Sequence, residues 1–178
     1  PMESLPELIV GSVQDASAFV GKQSADCVIL DMALDRSVQP QTLLRAIRAW
    51  LKAGGLLLAR FQNARHHQTV QALLEGYWKQ PAERSDALRV FTKREVEKLL
   101  FRGGFEHALF RPLPNDDLQK WRDRGQPPAV TVGSLQIGGA SEAQAEEFYA
   151  RQYLVRAHVA EERQVALTSI IILTHNQL

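Results

Sequence analysis

Residues 51–66 read LKAGGLLLARFQNARH, and this stretch decides the fold. We interpret it as the end of a helix, a stop at Gly54 and Gly55, a buried strand and a polar loop. The helix is predicted to begin at Pro40, because proline suits the first helical position. A helix that leads into a buried strand and then a polar loop is typical of a parallel sheet, whose loops carry ligands at one edge.

The rest of the chain repeats this alternation of strands and helices. Further apolar runs predict strands at residues 7–11, 26–31, 106–113 and 151–159. Helical patterns separate the runs, and the alternating segment 129–139 with its Gly-Ser turn predicts a small β-hairpin. These patterns predict an α/β fold with a mainly parallel sheet and flanking helices.

Two helices carry explicit start signals. Thr92 is followed three residues later by Glu95, which is the spacing of a capping box, and Gly103 and Gly104 end the same helix. Ser141 is the predicted N-cap of a later helix. Both helix starts are therefore predicted from local residues alone.

Composition excludes several classes of function. The 178 residues include 21 Lys and Arg against 20 Asp and Glu, so no basic excess indicates nucleic acid or an anionic membrane. No apolar stretch is long enough to span a bilayer, and no signal peptide opens the sequence. The single cysteine, Cys27, lies in an apolar run, so we expect it to be buried and the protein to be cytoplasmic.

Three segments, in this order, resemble the small-molecule (type 12) branch of the class I S-adenosylmethionine-dependent methyltransferases. LLRAIRAWLKAGGLLLARFQNARH is similar to that family's helix, glycine turn, fifth strand and loop. YWKQPAERSDALRVFTKREVEKLLFRGGFE is similar to the segment and helix before its sixth strand, and FYARQYLVRAHV to its last strand. The resemblance covers roughly residues 7–158 and implies an incomplete Rossmann-like sheet with an antiparallel last strand.

The resemblance also implies a cofactor loop that this sequence does not contain. The family holds S-adenosylmethionine mainly with a glycine-rich loop after its first strand, where the backbone approaches the ligand closely. The first predicted strand of this chain matches the family's third strand. We therefore expect the N-terminal half of the fold to be missing.

Positions that face ligand in the family also differ here. Ser12 stands where the family usually has Asp, Arg36 where it has His, and Ala87 at the His of a later motif. A guanidinium cannot lose its proton as an imidazole can, so Arg36 cannot serve as a base. The packing positions match and the chemical positions do not, so we predict no catalytic residue and no bound cofactor.

Two functions of different class stay open. One is a degenerate, non-catalytic methyltransferase-like module, and the other is a fragment of an active enzyme that uses S-adenosylmethionine on a sugar or small acceptor. For the second, the predicted cofactor contacts are Ser12, Asp15 and Asp31, and the predicted substrate contacts are Asp35, Arg36, Asn63, Arg65 and His66.

Acidic and imidazole side chains at the ends of the strands allow two interpretations each. Asp31 and Asp35 form either an acid pair or solvated loop carboxylates, and we favour the second. His66 and His67 open a helix either as ligand contacts or as a solvated helix start, and we again favour the second. The other histidines lack ligand spacing among themselves or with Cys27, so no metal site is predicted.

The last residues imply a second domain. Residues 168–178, TSIIILTHNQL, resemble the opening strand of family 2 glycosyltransferases. The predicted division is a methyltransferase-like domain at 1–159, a linker at 160–166 and the start of a glycosyltransferase-like domain at 167–178. Together the two resemblances imply a piece of a larger bacterial protein of glycan assembly, whose remaining polypeptide is the expected partner.

A missing half of the sheet has a consequence for association. The apolar strand at residues 26–31 would lose its neighbour, and an unpaired apolar strand edge invites pairing with another chain. We therefore predict a homodimer or a domain-swapped pair.

Overall fold

The computed structural model describes residues 16, 18–77, 87–125, 130–133, 135–138 and 140–160. Its helices are α1 (Ala33–Arg36), α2 (Pro40–Trp50), α3 (His67–Leu74), α4 (Lys93–Arg102), α5 (Asp116–Asp123) and α6 (Glu142–Tyr149). Its strands are β1 (Ala25–Asp31), β2 (Leu51–Gln62), β3 (Phe105–Pro112), β4 (Val130–Val132), β5 (Leu135–Ile137) and β6 (Gln152–Val159). The predicted strand at 7–11, the segment 167–178, Ser12 and Asp15 lie outside the described residues.

Four strands form the main sheet in the order β1-β2-β6-β3. β1 and β2 are parallel, whereas β6 runs antiparallel to both of its neighbours. The last of the described strands is thus inserted between two earlier ones with reversed direction. This arrangement confirms the predicted α/β class with its antiparallel last strand, and the antiparallel β4–β5 pair confirms the predicted hairpin.

One face of the sheet carries the main hydrophobic core. Side chains alternate between faces along a strand, so every second residue points to this side. The Phe61 ring stacks on Tyr153 at 5.9 Å between centroids and meets Phe110 edge-on at 6.1 Å. The buried partners on the helices that pack there are Leu44 and Ile47 of α2 and Val96 and Leu100 of α4.

The opposite face is largely uncovered in the described part of the chain. Ile29, Leu58, Arg156 and Leu109 lie side by side in register across all four strands. Ile29 is 72% exposed and Leu109 is 55% exposed. We call this side of the sheet the open face.

The prediction that Cys27 is buried is wrong, because Cys27 lies exposed on the open face. β1 is an edge strand of the described sheet, and the helices of the main core, α1, α2 and α4, pack on the other side. The sequence of β1 is apolar at most positions, which is typical of a strand covered on both faces. The apolar sequence of β1 thus predicts a strand covered on both faces, whereas the described structure leaves one of its faces exposed.

The predicted helix end at Gly54 and Gly55 is also wrong. α2 ends at Trp50, and the backbone is already extended at Leu51. The pairing with β1 then shifts: Ala25 pairs with Leu51 but Cys27 pairs with Leu56, so one intervening residue of β1 lies opposite four of β2. Gly54 has a φ of +69° within this bulge, so the glycines shape an irregular strand start instead of ending a helix.

The predicted helix starts are confirmed. The Glu95 backbone N–H donates to Thr92 Oγ1 at 3.2 Å, and the Thr92 backbone N–H donates to Glu95 Oε2 at 2.7 Å. Ser141 and Gln144 form the same reciprocal pair at the start of α6. Among the residues with described positions, no helix is both long and apolar enough to cross a bilayer.

Candidate functional site

The predicted site residues lie around one edge of the sheet. The strands β1, β2 and β3 all end at this edge, and antiparallel β6 begins there. We call it the carboxyl edge. In open α/β sheets, ligands bind in the crevice outside these strand ends.

Asp31 ends β1 and is exposed at this edge. Its Oδ1 lies 2.5 Å from Nε of Arg60, the residue beside it in β2. An exposed ion pair of this kind contributes little to stability. Asp31 therefore lies at the carboxyl edge, where its charge is paired with that of Arg60.

Asp35 and Arg36 share the short helix α1 but have different surroundings. Asp35 is fully buried, and its Oδ1 accepts from the Gln62 backbone N–H at 3.3 Å. Its backbone carbonyl accepts from the N–H groups of Leu88 and Arg89 at 2.8 and 3.0 Å. Asp35 is thus not a solvated loop carboxylate, because it joins α1 to β2 and to the segment before α4. Arg36 is exposed.

Asn63 holds the loop after β2 in place. Its Nδ2 donates to the backbone carbonyls of Glu147 and Ala150 at 2.5 and 2.7 Å, at the end of α6. Its Oδ1 accepts from the Arg65 backbone N–H at 3.0 Å. Both ends of this buried amide therefore bind protein groups, so Asn63 acts as a positioning residue.

Arg65 makes a second connection from the same loop to α6. Its Nη1 lies 2.5 Å from Oε2 of Glu147, and its guanidinium lies 4.9 Å from the centre of the Phe148 ring. The two contacts fix a planar cation against one helix. Arg65 is half-buried and directed at protein.

His66, by contrast, is only 3% exposed. Its burial, together with the nearby His67, lowers the pKa of its imidazole from 6.5 to about 4. His66 is therefore neutral at pH 7. The expectation of a solvated helix start is therefore wrong for His66. The His66 backbone N–H donates to the Asn63 carbonyl, and the turn that this bond closes directs the imidazole inward.

The fold brings a distant carboxylate to the two histidines. Oδ2 of Asp117 lies 3.1 Å from Nε2 of His67 and 3.5 Å from Nε2 of His66. Asp117 is separated by 50 residues from His67, and sequence reasoning did not find it. A signal was present, because Asn115 caps a helix that begins shortly after β3 ends and whose first turn is acidic.

A second, small core holds this corner of the molecule. It joins α5, α6 and the β4–β5 hairpin, and its buried members are Leu118, Trp121, Val130, Val132 and Ala145. Trp121 stacks on Tyr149 at 5.8 Å, and the Tyr149 ring lies 5.7 Å from the His67 ring. Asp117 and His67 are thus attached to packed elements instead of a free loop.

The described residues do not fit the cofactor that the sequence resemblance implies. Such a site needs glycines at the carboxyl edge, so that the backbone can approach the ligand. The two adjacent glycine pairs in the described segments, Gly54–Gly55 and Gly103–Gly104, lie at the start of β2 and just before β3, at the opposite edge. No glycine cradle is formed at the crevice by the part of the chain described.

Comparisons with known proteins give a consistent result for the fold. An S-adenosylmethionine-dependent methyltransferase from Archaeoglobus fulgidus matches with a TM-score of 0.53 at 9% identity, over 84% of this chain and 66% of that one. The putative methyltransferase in complex with the Haloferax volcanii Trm112 activator matches with a TM-score of 0.50 at 13% identity, over 82% and 58%. No protein-family model and no curated protein matches.

The described sheet therefore has the class I methyltransferase fold. The chain spans 57% of the length of another matched structure, an S-adenosylmethionine-dependent methyltransferase from Thermotoga maritima, at 16% identity and a TM-score of 0.49. At these identities the likeness is one of fold. Chemistry at the carboxyl edge has to be argued from the residues themselves.

Proposed function

We propose that this chain is a non-catalytic, methyltransferase-like module of a larger protein and that it does not bind S-adenosylmethionine by itself. The observation that carries the proposal is the use of polar groups at the carboxyl edge. Asp35, Asn63 and Arg65 all bind other parts of the chain, and each connects one element of the fold to another. Side chains used in this way build a scaffold and leave few groups for a ligand.

The residues at positions expected to carry chemistry support the same proposal. Ala87 is buried and has only a methyl group, so it can neither bind a polar substrate nor transfer a proton. Arg36 is exposed and always charged near neutral pH. The glycine pairs lie at the wrong edge for a cofactor. The sheet therefore keeps the class I framework without the groups for methyl transfer.

A calorimetric titration with S-adenosylmethionine and S-adenosylhomocysteine, with a thermal shift in parallel, tests this proposal. We expect no heat and no shift, whereas a ligand at a hundredfold excess over its Kd would stabilise the folded protein by about 2.7 kcal/mol. An active methyltransferase of the same fold serves as the positive control. Micromolar binding to this chain would contradict the proposal.

Methyl transfer from S-adenosylmethionine is the second candidate. The matched structures are named S-adenosylmethionine-dependent methyltransferases, which favours this cofactor over any other for the fold. In this version the chain supplies the acceptor side of an active domain. Further polypeptide provides the glycine loop against β1, and the acceptor is a sugar or small molecule.

We also propose partners for the chain. The resemblance of residues 168–178 to a glycosyltransferase strand supports a parent protein of bacterial glycan assembly in the cytoplasm, with a glycosyltransferase domain after this module. β1 is an edge strand of the described sheet, and its Ile29 and Cys27 side chains are exposed on the open face. Both features support association of this strand with the parent polypeptide or with a second copy in a homodimer.

A further inference from the structure

The geometry of His66, His67 and Asp117 points to a metal site, and we propose that these residues bind a divalent first-row transition metal ion such as Zn²⁺. His66 Nε2, His67 Nε2 and an Asp117 carboxylate oxygen are the ligands. Each of the three residues offers one ligand atom, and these atoms lie within 4.8 Å of one another. This inference is independent of whether the module binds S-adenosylmethionine.

The distances suit a small tetrahedral ion. Zn²⁺ binds imidazole nitrogen and carboxylate oxygen at about 2.0–2.2 Å, which separates two tetrahedral ligand atoms by about 3.4 Å. The carboxylate oxygen of Asp117 lies 3.1 and 3.5 Å from the two imidazole nitrogens. Asp117 is therefore already close to tetrahedral ligand spacing from both imidazole nitrogens.

A second observation points independently to a ligand. Nε2 of His66 is buried and makes no hydrogen bond of good geometry, although the Asp117 carboxylate oxygen lies 3.5 Å away. Buried polar atoms in native proteins normally have a partner, so an exception needs an explanation. A metal ion would take the lone pair of this nitrogen and leave the ring proton on Nδ1.

The ligand types select the class of metal. Two imidazoles with one carboxylate suit Zn²⁺, Co²⁺, Ni²⁺ and Fe²⁺, whereas Mg²⁺ and Ca²⁺ prefer oxygen ligands throughout. Three protein ligands leave at least one coordination position for water or another molecule. The site lies at the carboxyl edge, so such a molecule would occupy the crevice.

Neighbouring contacts hold the ligands in position. Asn63 fixes the turn that carries His66. Its backbone carbonyl accepts from the His66 N–H, and its side-chain amide donates a hydrogen bond to the end of α6. Asn115 accepts from the Leu118 backbone N–H at 3.0 Å, which fixes the first turn of α5 and with it Asp117. Supporting contacts of this kind orient ligands in known metal sites.

Calorimetric titration of the chelator-treated chain with Zn²⁺ tests the proposal, and Co²⁺ absorption in the visible range reports the ligand field. We expect one Zn²⁺ per chain and at least a tenfold weaker Kd in His67→Gln and Asp117→Asn. We expect Mg²⁺ to bind far more weakly than Zn²⁺. Circular dichroism checks that each variant is folded.

Two controls match these variants. Asp116→Asn removes one charge from the same helix turn at an exposed position, and His107→Gln removes an exposed histidine far from the cluster. Both should bind Zn²⁺ as tightly as the unchanged chain. Failure of the unchanged chain to bind Zn²⁺ would overturn the proposal. So would equal losses in Asp116→Asn and Asp117→Asn, or equal affinity for Mg²⁺.

Discussion

Asn63→Asp is expected to lower the free energy of unfolding by about 3 kcal/mol at pH 7. The substitution keeps the shape of the side chain but replaces its donor NH₂ group with an acceptor oxygen. That oxygen would face the carbonyls of Glu147 and Ala150 at 2.5–2.7 Å in a buried site. Chemical denaturation followed by circular dichroism measures the loss.

Asn115→Asp is the matched control, because the same change at a helix N-cap has the opposite consequence. The cap oxygen still accepts from the Leu118 N–H, and a negative charge interacts favourably with the helix N-terminus. We expect this variant to be unchanged or slightly more stable. Equal stability losses in the two variants would show that Asn63 does not anchor the loop.

The metal-free protein is expected to lose about 3 kcal/mol of stability from His66 alone as the pH falls from 7 to below 4. The folded pKa of His66 is about 4 against 6.5 in the unfolded chain, and one pKa unit corresponds to about 1.4 kcal/mol. Between these two values the unfolded chain binds more protons than the folded one. Stability therefore rises with pH across this window and is fully present above pH 6.5.

Denaturant titrations at several pH values in the presence of a chelator measure this dependence. In His66→Gln no imidazole titrates at this position, so the free energy of unfolding should depend less on pH. The difference from the unchanged protein is the contribution of His66. If that variant does not fold, the imidazole resonances of the unchanged protein give the pKa directly. A His66 resonance that titrates at or above pH 6.5 would contradict the prediction.

Local signals in the sequence predicted the elements of this fold well. The capping box of Thr92 with Glu95 and the N-cap at Ser141 depend on residues near each other in the chain, and both form as expected. The antiparallel last strand followed from the family resemblance, and the sheet confirms it. Predictions of this kind succeed because the determining residues are neighbours in the chain or share a periodic pattern.

The predictions that failed depended on long-range packing. Cys27 was expected to be buried because its strand is apolar, but burial is decided by what covers the strand. Gly54 and Gly55 read as a helix stop, although Leu51 already leaves the helix to pair with Ala25. Neither outcome can be read from local composition.

The same reason explains the candidate metal site. His66 and His67 were visible in the sequence, but Asp117 is brought to them only by the packing of α5 against α6 and the hairpin. The burial of His66 depends on the turn that Asn63 closes. Sequence spacing alone therefore predicted that there is no metal site. Titration with Zn²⁺ tests this prediction against the site proposed from the structure.

The described residues form a class I methyltransferase sheet and leave one of its faces uncovered. Cys27 is the single cysteine and lies on that face, so its reactivity in dilute native protein measures that exposure directly. A double variant with Cys27→Ser and Leu30→Cys is the matched control, because Leu30 is a buried residue on the core side of the same strand.

The measurement is the rate at which a thiol reagent modifies the cysteine of each protein in its native and its denatured state. We expect native Cys27 to react within about tenfold of the denatured rate, and the introduced thiol of the control to react slower by about a thousandfold or more. Protection of Cys27 that grows with protein concentration would support the homodimer. Protection of Cys27 at all concentrations, equal to that of the control, would contradict the open face and with it the incomplete sheet.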